Sequence, residues 1–255
     1  MNLENRLKQI QEKRDEIAKL YFVDCKCDKH AIEFKRDTRS DENQCPQCKA
    51  DFEANKHREM IERKKLERII NAGLPVRFIE KTFDNYQANT SLQSEIVSMV
   101  REYALNGDAL KLGRCLMLFG GVGTGKTHLA SAVIGEYLNA ERTNAVYTTA
   151  RDMIRNVRAS WSDRNLNESE IIDRYANTGL LVIDEIGVQF GSDAESILMF
   201  EIIDKRYGSR LPTFFISNLS LVEIKNVLGD RIIDRIREDD GLVIEMRWDS
   251  KRGKM

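Results

Sequence analysis

Eight consecutive residues constrain this chain more than any others: Gly120, Gly121, Val122, Gly123, Thr124, Gly125, Lys126 and Thr127, which fit G-x-x-x-x-G-K-[ST]. The apolar run Cys115–Phe119 precedes them and a helical pattern follows through Leu138. A buried strand, a glycine-rich turn and a helix N-terminus together cradle phosphate. The glycines allow backbone angles closed to other residues, their N–H groups converge on oxygens, and the helix dipole adds positive potential. The spacing suits Lys126 to the β- and γ-phosphates of a nucleoside triphosphate and the Thr127 hydroxyl to Mg²⁺. His128 comes next, on the helix surface, and closes the candidate nucleotide-contacting run.

The rest of the chain supplies what such a loop requires. Leu180, Leu181, Val182 and Ile183 read as a buried strand ending in Asp184 and Glu185, at the sheet edge where ligands bind in open parallel folds. Asp184 is expected to hold Mg²⁺ and Glu185 to polarise water as a general base. The strand Thr213–Ser217 ends in Asn218, whose amide can position water at the γ-phosphate or cap a turn. Arg231 and Arg235 stand one helical turn apart, with Ile232, Ile233 and Ile236 expected to face the core. They form either a cation for a neighbouring subunit's phosphates or a solvated face paired to Asp230, Asp234 and Glu238. Apolar strands alternating with helices predict an α/β fold, a parallel sheet between helix layers, over residues 74–255. Residues 71–75, with Gly73 and Pro75, stop a charged helix read as 54–70. They mark the expected boundary with an N-terminal module, 1–73, whose first twenty residues are also helix-like.

That module carries four of the five cysteines: Cys25, Cys27, Cys45 and Cys48. Cys27 and His30, then Cys45 and Cys48, make C-x₂-H and C-x₂-C knuckles within residues 21–52. Four such ligands suit tetrahedral structural zinc, and a small module gains from the staple. Cys25 competes with Cys27 as first ligand, although one intervening residue makes Cys25–Cys27 the poorer knuckle. Cys115, in an apolar run, is expected to be buried. No apolar stretch approaches membrane length and the N-terminus lacks a signal core, so the expected compartment is the cytoplasm.

A formal charge of −1 means that any nucleic-acid contact must come from a local face. Arg151, Arg155, Arg158, Trp161 and Arg164 supply one if they share a helix: cations for phosphates and a flat ring for base stacking. The alternative is a solvated basic face with Trp161 in the core.

In combination, the phosphate loop, Asp184 to Gln189, Asn218, the Gly229–Arg235 segment and Trp248-Asp249-Ser250 with Arg252 resemble the DnaC-type replicative helicase loaders, relatives of the DnaA initiator and the IstB transposition ATPases. The resemblance covers roughly residues 75–252. It implies an AAA+ fold, ATP/ADP and Mg²⁺ as ligands, slow ATP hydrolysis stimulated by DNA or assembly, and self-association through the ATPase domains. It also implies delivery of a hexameric DNA helicase onto single-stranded DNA, in a bacterial cell or from a phage. By motif, Arg235 is similar to an arginine finger, Asn218 to the first sensor, and Arg252 to a late nucleotide-sensing arginine. The segment with Arg155, Arg158 and Trp161 resembles the DNA-facing helical insertion of such proteins, and residues 1–73 a helicase-gripping module. The competing expectation is an IstB-like transposition helper on duplex DNA. A small-molecule phosphotransferase fits the paired carboxylates and arginine helix less well, and an inactive adaptor conflicts with the intact Lys126, Thr127, Asp184 and Glu185.

Overall fold

A computed structural model of the chain describes residues 22–37, 45–140, 144–163, 165–187 and 193–250. Two compact units divide between Lys64 and Lys65. In the first, strands β1 (Phe22–Lys26) and β2 (Glu33–Asp37) form an antiparallel hairpin, with Phe22 opposite Asp37 and Lys26 opposite Glu33. Its turn closes through Cys27 N to Ile32 O (2.9 Å) and Ala31 N to Cys27 O (2.7 Å). Helix α1 then runs Pro46–Asn71. It begins well before the expected residue 54, because proline at the first helical position has its φ preset and no N–H to leave unpaired. The second cysteine knuckle therefore occupies the helix's first turn. The helix read in the first twenty residues lies outside the described residues.

The second unit is built on a five-stranded sheet in the order β4-β5-β6-β3-β7, parallel throughout. In chain order its elements are a 3₁₀ turn (Val76–Phe78), α2 (Ser91–Leu105), α3 (Gly107–Lys111), β3 (Leu116–Phe119), α4 (Lys126–Asn139) and β4 (Ala145–Thr149). There follow α5 (Ala150–Ala159), α6 (Glu168–Ala176), β5 (Leu180–Ile186), α7 (Asp193–Gly208), β6 (Thr213–Ser217), α8 (Leu221–Leu228), α9 (Asp230–Arg237) and β7 (Leu242–Glu245). The α/β architecture expected from the sequence is present. Side chains alternate across the strands, so Leu116 and Leu118 join one core with α2 and α4, while Met117 and Phe119 join the other with α5, α6, α7 and α9. Burial on both faces is why β3, β5 and β6 read as unbroken apolar runs.

Local chemistry sets the helix starts. Thr90 accepts a hydrogen bond from Gln93 N, Thr149 from Asp152 N and Asn167 from Ser169 N, and Ser220 with Glu223 forms a complete capping box. Arg206, fully buried, gathers carbonyls left open between α6 and the strand starts. Its guanidinium donates to Tyr175 O (2.9 Å), Thr178 O (2.6 Å) and Pro212 O (2.6 Å), with Nε on Thr213 Oγ1 (2.9 Å). Burial pulls this guanidinium down to about 10. Among the described residues no helix is long and apolar enough to cross a membrane.

Two sequence expectations shift. The apolar run Cys115–Phe119 forms a strand only from Leu116, and the helix that carries Arg151, Arg155 and Arg158 spans Ala150–Ala159, so Trp161 sits in the turn beyond it. Arg231 and Arg235 lie on one helix, α9, one turn apart as expected.

Candidate active site

The glycine-rich loop leaves β3 and enters α4 with Gly120, Gly123 and Gly125 at φ of 118°, 77° and 100°. A Cβ on Gly120 would stand 2.7 Å from Met246 O, and one on Gly125 2.6 Å from the Tyr86 ring. Both the backbone angles and the close approaches therefore demand glycine. Tyr86 OH (2.8 Å) and Trp248 Nε1 (3.1 Å) both donate to Thr124 O and hold the loop from outside. His128 Nε2 donates to Thr82 O (2.8 Å), and its ring meets the Tyr86 ring edge-on at 5.0 Å. Burial pushes the Tyr86 phenol up to about 12.

Lys126 is 5% exposed, and its Nζ donates to Gly120 O (2.8 Å) and Gly121 O (2.7 Å). Thr127 Oγ1 donates to Asp184 Oδ2 at 3.0 Å, which joins the two motifs across the strand gap. The same carboxylate oxygen receives Tyr147 OH at 2.6 Å, and Oδ1 receives the Glu185 N–H at 2.6 Å. Asp184 is itself 5% exposed. Between Ile183 and Ile186 the β5–β6 register shifts, and Glu185 takes φ 58°. This irregularity leaves Glu185 exposed beside a buried Asp184. Ser217 Oγ donates to Ile186 O at 2.7 Å and ties the ends of β5 and β6 together just before Asn218.

These groups line one cavity of about 740 Å³. Val122, Gly123, Gly125, Lys126, Thr127, His128, Asp184, Glu185 and Asn218 all contribute to its wall. The volume lies within the range of sites for cofactor-sized ligands. A glycine cradle closed to any Cβ, a buried ammonium and a hydroxyl–carboxylate pair fit a triphosphate with a divalent cation: N–H groups and Lys126 for the anion, Thr127 and Asp184 for the metal. The rest of the wall, including Arg77, Phe78, Lys81, Asn85, Tyr86, Gln87 and Tyr147, has no counterpart in the sequence motifs. The only advance signal for the 75–87 segment was its position after the Gly73–Pro75 helix stop. Tyr147 carried none beyond its place on a strand.

Arg231 is exposed on α9, while Ile232, Ile233 and Ile236 are buried. Arg235 lies over the rings of Phe200 (4.9 Å) and Tyr207 (5.0 Å) and pairs with Asp204 of α7 rather than with an acid of its own helix. Neither arginine is part of the cavity wall. Arg252 and Arg164 fall outside the described residues.

In the first unit, Cys27, His30, Cys45 and Cys48 bring their ligand atoms within 4.8 Å of one another. His30 Nδ1 stands 3.4 Å from Cys48 Sγ, 3.5 Å from Cys27 Sγ and 3.9 Å from Cys45 Sγ, and Cys27 Sγ is 3.6 Å from Cys48 Sγ. Tetrahedral zinc, with bonds of about 2.3 Å to sulfur and about 2.0 Å to nitrogen, sets edges of about 3.8 Å between sulfurs and about 3.5 Å from sulfur to nitrogen. The donor set fits that ion. His30 Nε2 faces Asp51 Oδ2 at 3.0 Å, the carboxylate–imidazole pairing that orients metal-bound histidine. The backbone N–H of His30, against an opposing desolvation and helped by the His30 side chain, draws the Cys27 thiol down to about 6. Cys25 lies on β1 opposite Phe34, outside the group.

On α5, Arg151, Arg155 and Arg158 are exposed and Met153, Ile154 and Val157 are buried. Trp161 is 53% exposed rather than in the core, with Arg158 over its ring at 5.6 Å. Acidic side chains engage this face: Arg155 pairs with Asp152 (2.8 Å), Arg158 with Glu195 (2.8 Å), and Trp161 Nε1 donates to Glu168 (2.9 Å).

A family model described as IstB-like ATP binding protein matches residues 33–254. The replicative helicase loader DnaC of Buchnera aphidicola subsp. Baizongia pistaciae (strain Bp) is 34% identical over 193 residues, 75% of this chain and 77% of that protein. The replicative helicase loader DnaC of Escherichia coli (strain K12) is 31% identical over 193 residues, with the same 75% and 77% shares. Among solved structures, the DnaC helicase loader superposes with a TM-score of 0.59 at 22% identity, covering 68% of this chain and 98% of that one. The replication initiator DnaA bound to AMPPCP and single-stranded DNA gives 0.57 at 22% identity, covering 69% of this chain and 51% of that one. At these identities the structural likenesses speak to the fold alone, which is that of the AAA+ ATPases.

Proposed function

The chain belongs to the IstB-like ATP-binding protein family, and from that premise we propose that it uses ATP to control delivery of a replicative DNA helicase onto single-stranded DNA in the bacterial cytoplasm. It is an AAA+ ATPase. The observation that carries the loader reading is similarity to DnaC proteins across three quarters of the chain, joined to an intact set of Lys126, Thr127, Asp184 and Glu185 around one cavity.

Each residue then has a defined task. The loop N–H groups from Gly120 to Thr127 bind the β- and γ-phosphates, and Lys126 exchanges its carbonyl partners for phosphate oxygens. Thr127 and Asp184 hold Mg²⁺, which when bound neutralises charge developing on the phosphoryl oxygens. Glu185, exposed at the cavity wall, accepts the proton of the attacking water. Asn218, at the end of β6, orients that water. Arg235 acts on a neighbouring subunit's nucleotide, so hydrolysis depends on self-association, and Arg231 flanks it. Residues 1–73 form the helicase-docking module, stapled by zinc at Cys27, His30, Cys45 and Cys48. Arg155, Arg158 and Trp161 contact single-stranded DNA.

The match to a family described as IstB-like ATP binding protein, beside the resemblance to the IstB transposition ATPases, supports a second reading, a transposition helper acting on duplex DNA. Size-exclusion chromatography of the purified chain with ATP separates the two. A loader co-elutes with a hexameric replicative helicase and transfers it to single-stranded circles. Stable ATP-dependent filaments on duplex DNA, with no helicase complex, would overturn the loader reading.

A further inference from the structure

None of the tasks above uses Tyr147, yet it makes the shorter of the two side-chain contacts to the Asp184 carboxylate. Its hydroxyl reaches Oδ2 at 2.6 Å, against 3.0 Å for Thr127 Oγ1 on the same oxygen. The Glu185 N–H takes Oδ1 at 2.6 Å. Three donors thus fix the carboxylate plane of an Asp184 that is only 5% exposed. Tyr147 is itself held on both sides. Its N–H donates to Ala72 O at 2.7 Å, and its ring packs on the core that includes α2 and α4.

We infer that Tyr147 is a positioning residue for the divalent cation: its hydroxyl sets the orientation in which Asp184 offers a lone pair beside Thr127. This inference rests on the reading of Asp184 and Thr127 as the cation-holding pair. A donor also lowers the basicity of a carboxylate. With three donors on one carboxylate, orientation outweighs that loss, because a carboxylate freed on one side turns to recover a partner and its metal-facing lone pair turns with it.

Tyr147→Phe removes one oxygen and keeps the packed ring, so the fold is retained. Binding of a fluorescent ATP analogue to the full chain is titrated at rising Mg²⁺ and, separately, in excess chelator. The variant should need about tenfold more Mg²⁺ for half-maximal enhancement of binding, the range lost with a metal ligand's hydrogen-bonding partner. Its affinity in chelator should match the wild type, which a general structural defect would not permit. Asp184→Asn serves as the reference. Loss of the Mg²⁺ response in Asp184→Asn but an unchanged or sharpened response in Tyr147→Phe overturns this inference alone. An unchanged response in Asp184→Asn overturns the assignment of the cation site as well.

Discussion

If zinc occupies the cysteine–histidine cluster as proposed, stripping it should unfold the first unit and leave the ATPase unit standing. Among residues 23–36 and 45–64, Cys45 is the one buried side chain. Burying one such side chain contributes at most about 1–2 kcal/mol, and an isolated two-stranded hairpin is marginal in water. A structural zinc ion contributes roughly 10–16 kcal/mol in peptides of this size. An ion held at this cluster would therefore exceed every other stabilising contribution visible in the unit. Hydrogen exchange read by mass spectrometry, before and after a strong chelator, tests this directly alongside metal analysis. Protection in residues 22–37 and the first turns of α1 should vanish, protection in β3, β5 and β6 should persist, and about one zinc per chain should be recovered. Cys25→Ser should leave zinc content unchanged, whereas Cys48→Ser should abolish it. A hairpin equally protected after complete metal removal would refute the argument.

Glu185→Gln should bind ATP with wild-type affinity while hydrolysis falls by about 10²–10⁴-fold, as single-turnover assays would show; an equal loss of binding would contradict a base role. Trp161→Ala should weaken single-stranded DNA binding by about 1–3 kcal/mol if its half-exposed ring stacks on a base; fluorescence anisotropy with an unchanged isotherm would remove it from the DNA face. Arg235→Ala should spare ATP binding yet lose about 10³-fold of assembly-stimulated hydrolysis; an equal deficit in dilute monomers would assign the effect instead to its packing on Phe200 and Tyr207.

What could be read from sequence was whatever the backbone forces into a motif. Only glycine fits at 120 and 125, where a Cβ meets Met246 O or the Tyr86 ring, so the loop is spelled out in residues. The acidic pair at the end of β5 and the unbroken apolar strands were legible for the same reason: burial on both faces leaves few alternatives. The cysteine and histidine spacing favoured Cys27 and His30 over Cys25, and the four side chains of that reading converge in the structure. The outer wall of the cavity was not legible. Residues 75–87 follow no period, and those that line the wall contribute through tertiary placement alone. Tyr147 is an ordinary strand residue until β4 pairs with β5 and brings Asp184 within reach. The basic stripe was read as one helix, but α5 ends at Ala159, and Trp161 stays beside Arg158 only because the following turn folds it back. Arg235 was weighed against acids of its own helix, and its partner came instead from α7, a choice set by helix packing rather than by local spacing.

Equilibrium titration of the intact chain with labelled ATP and Mg²⁺, beside Lys126→Ala, bears most directly on the account. Saturable binding at one site per chain in the wild type, with affinity lost in the variant, is the predicted outcome. Indistinguishable isotherms for the two proteins would contradict the assignment of the Gly120–Thr127 cradle, and with it the loader reading.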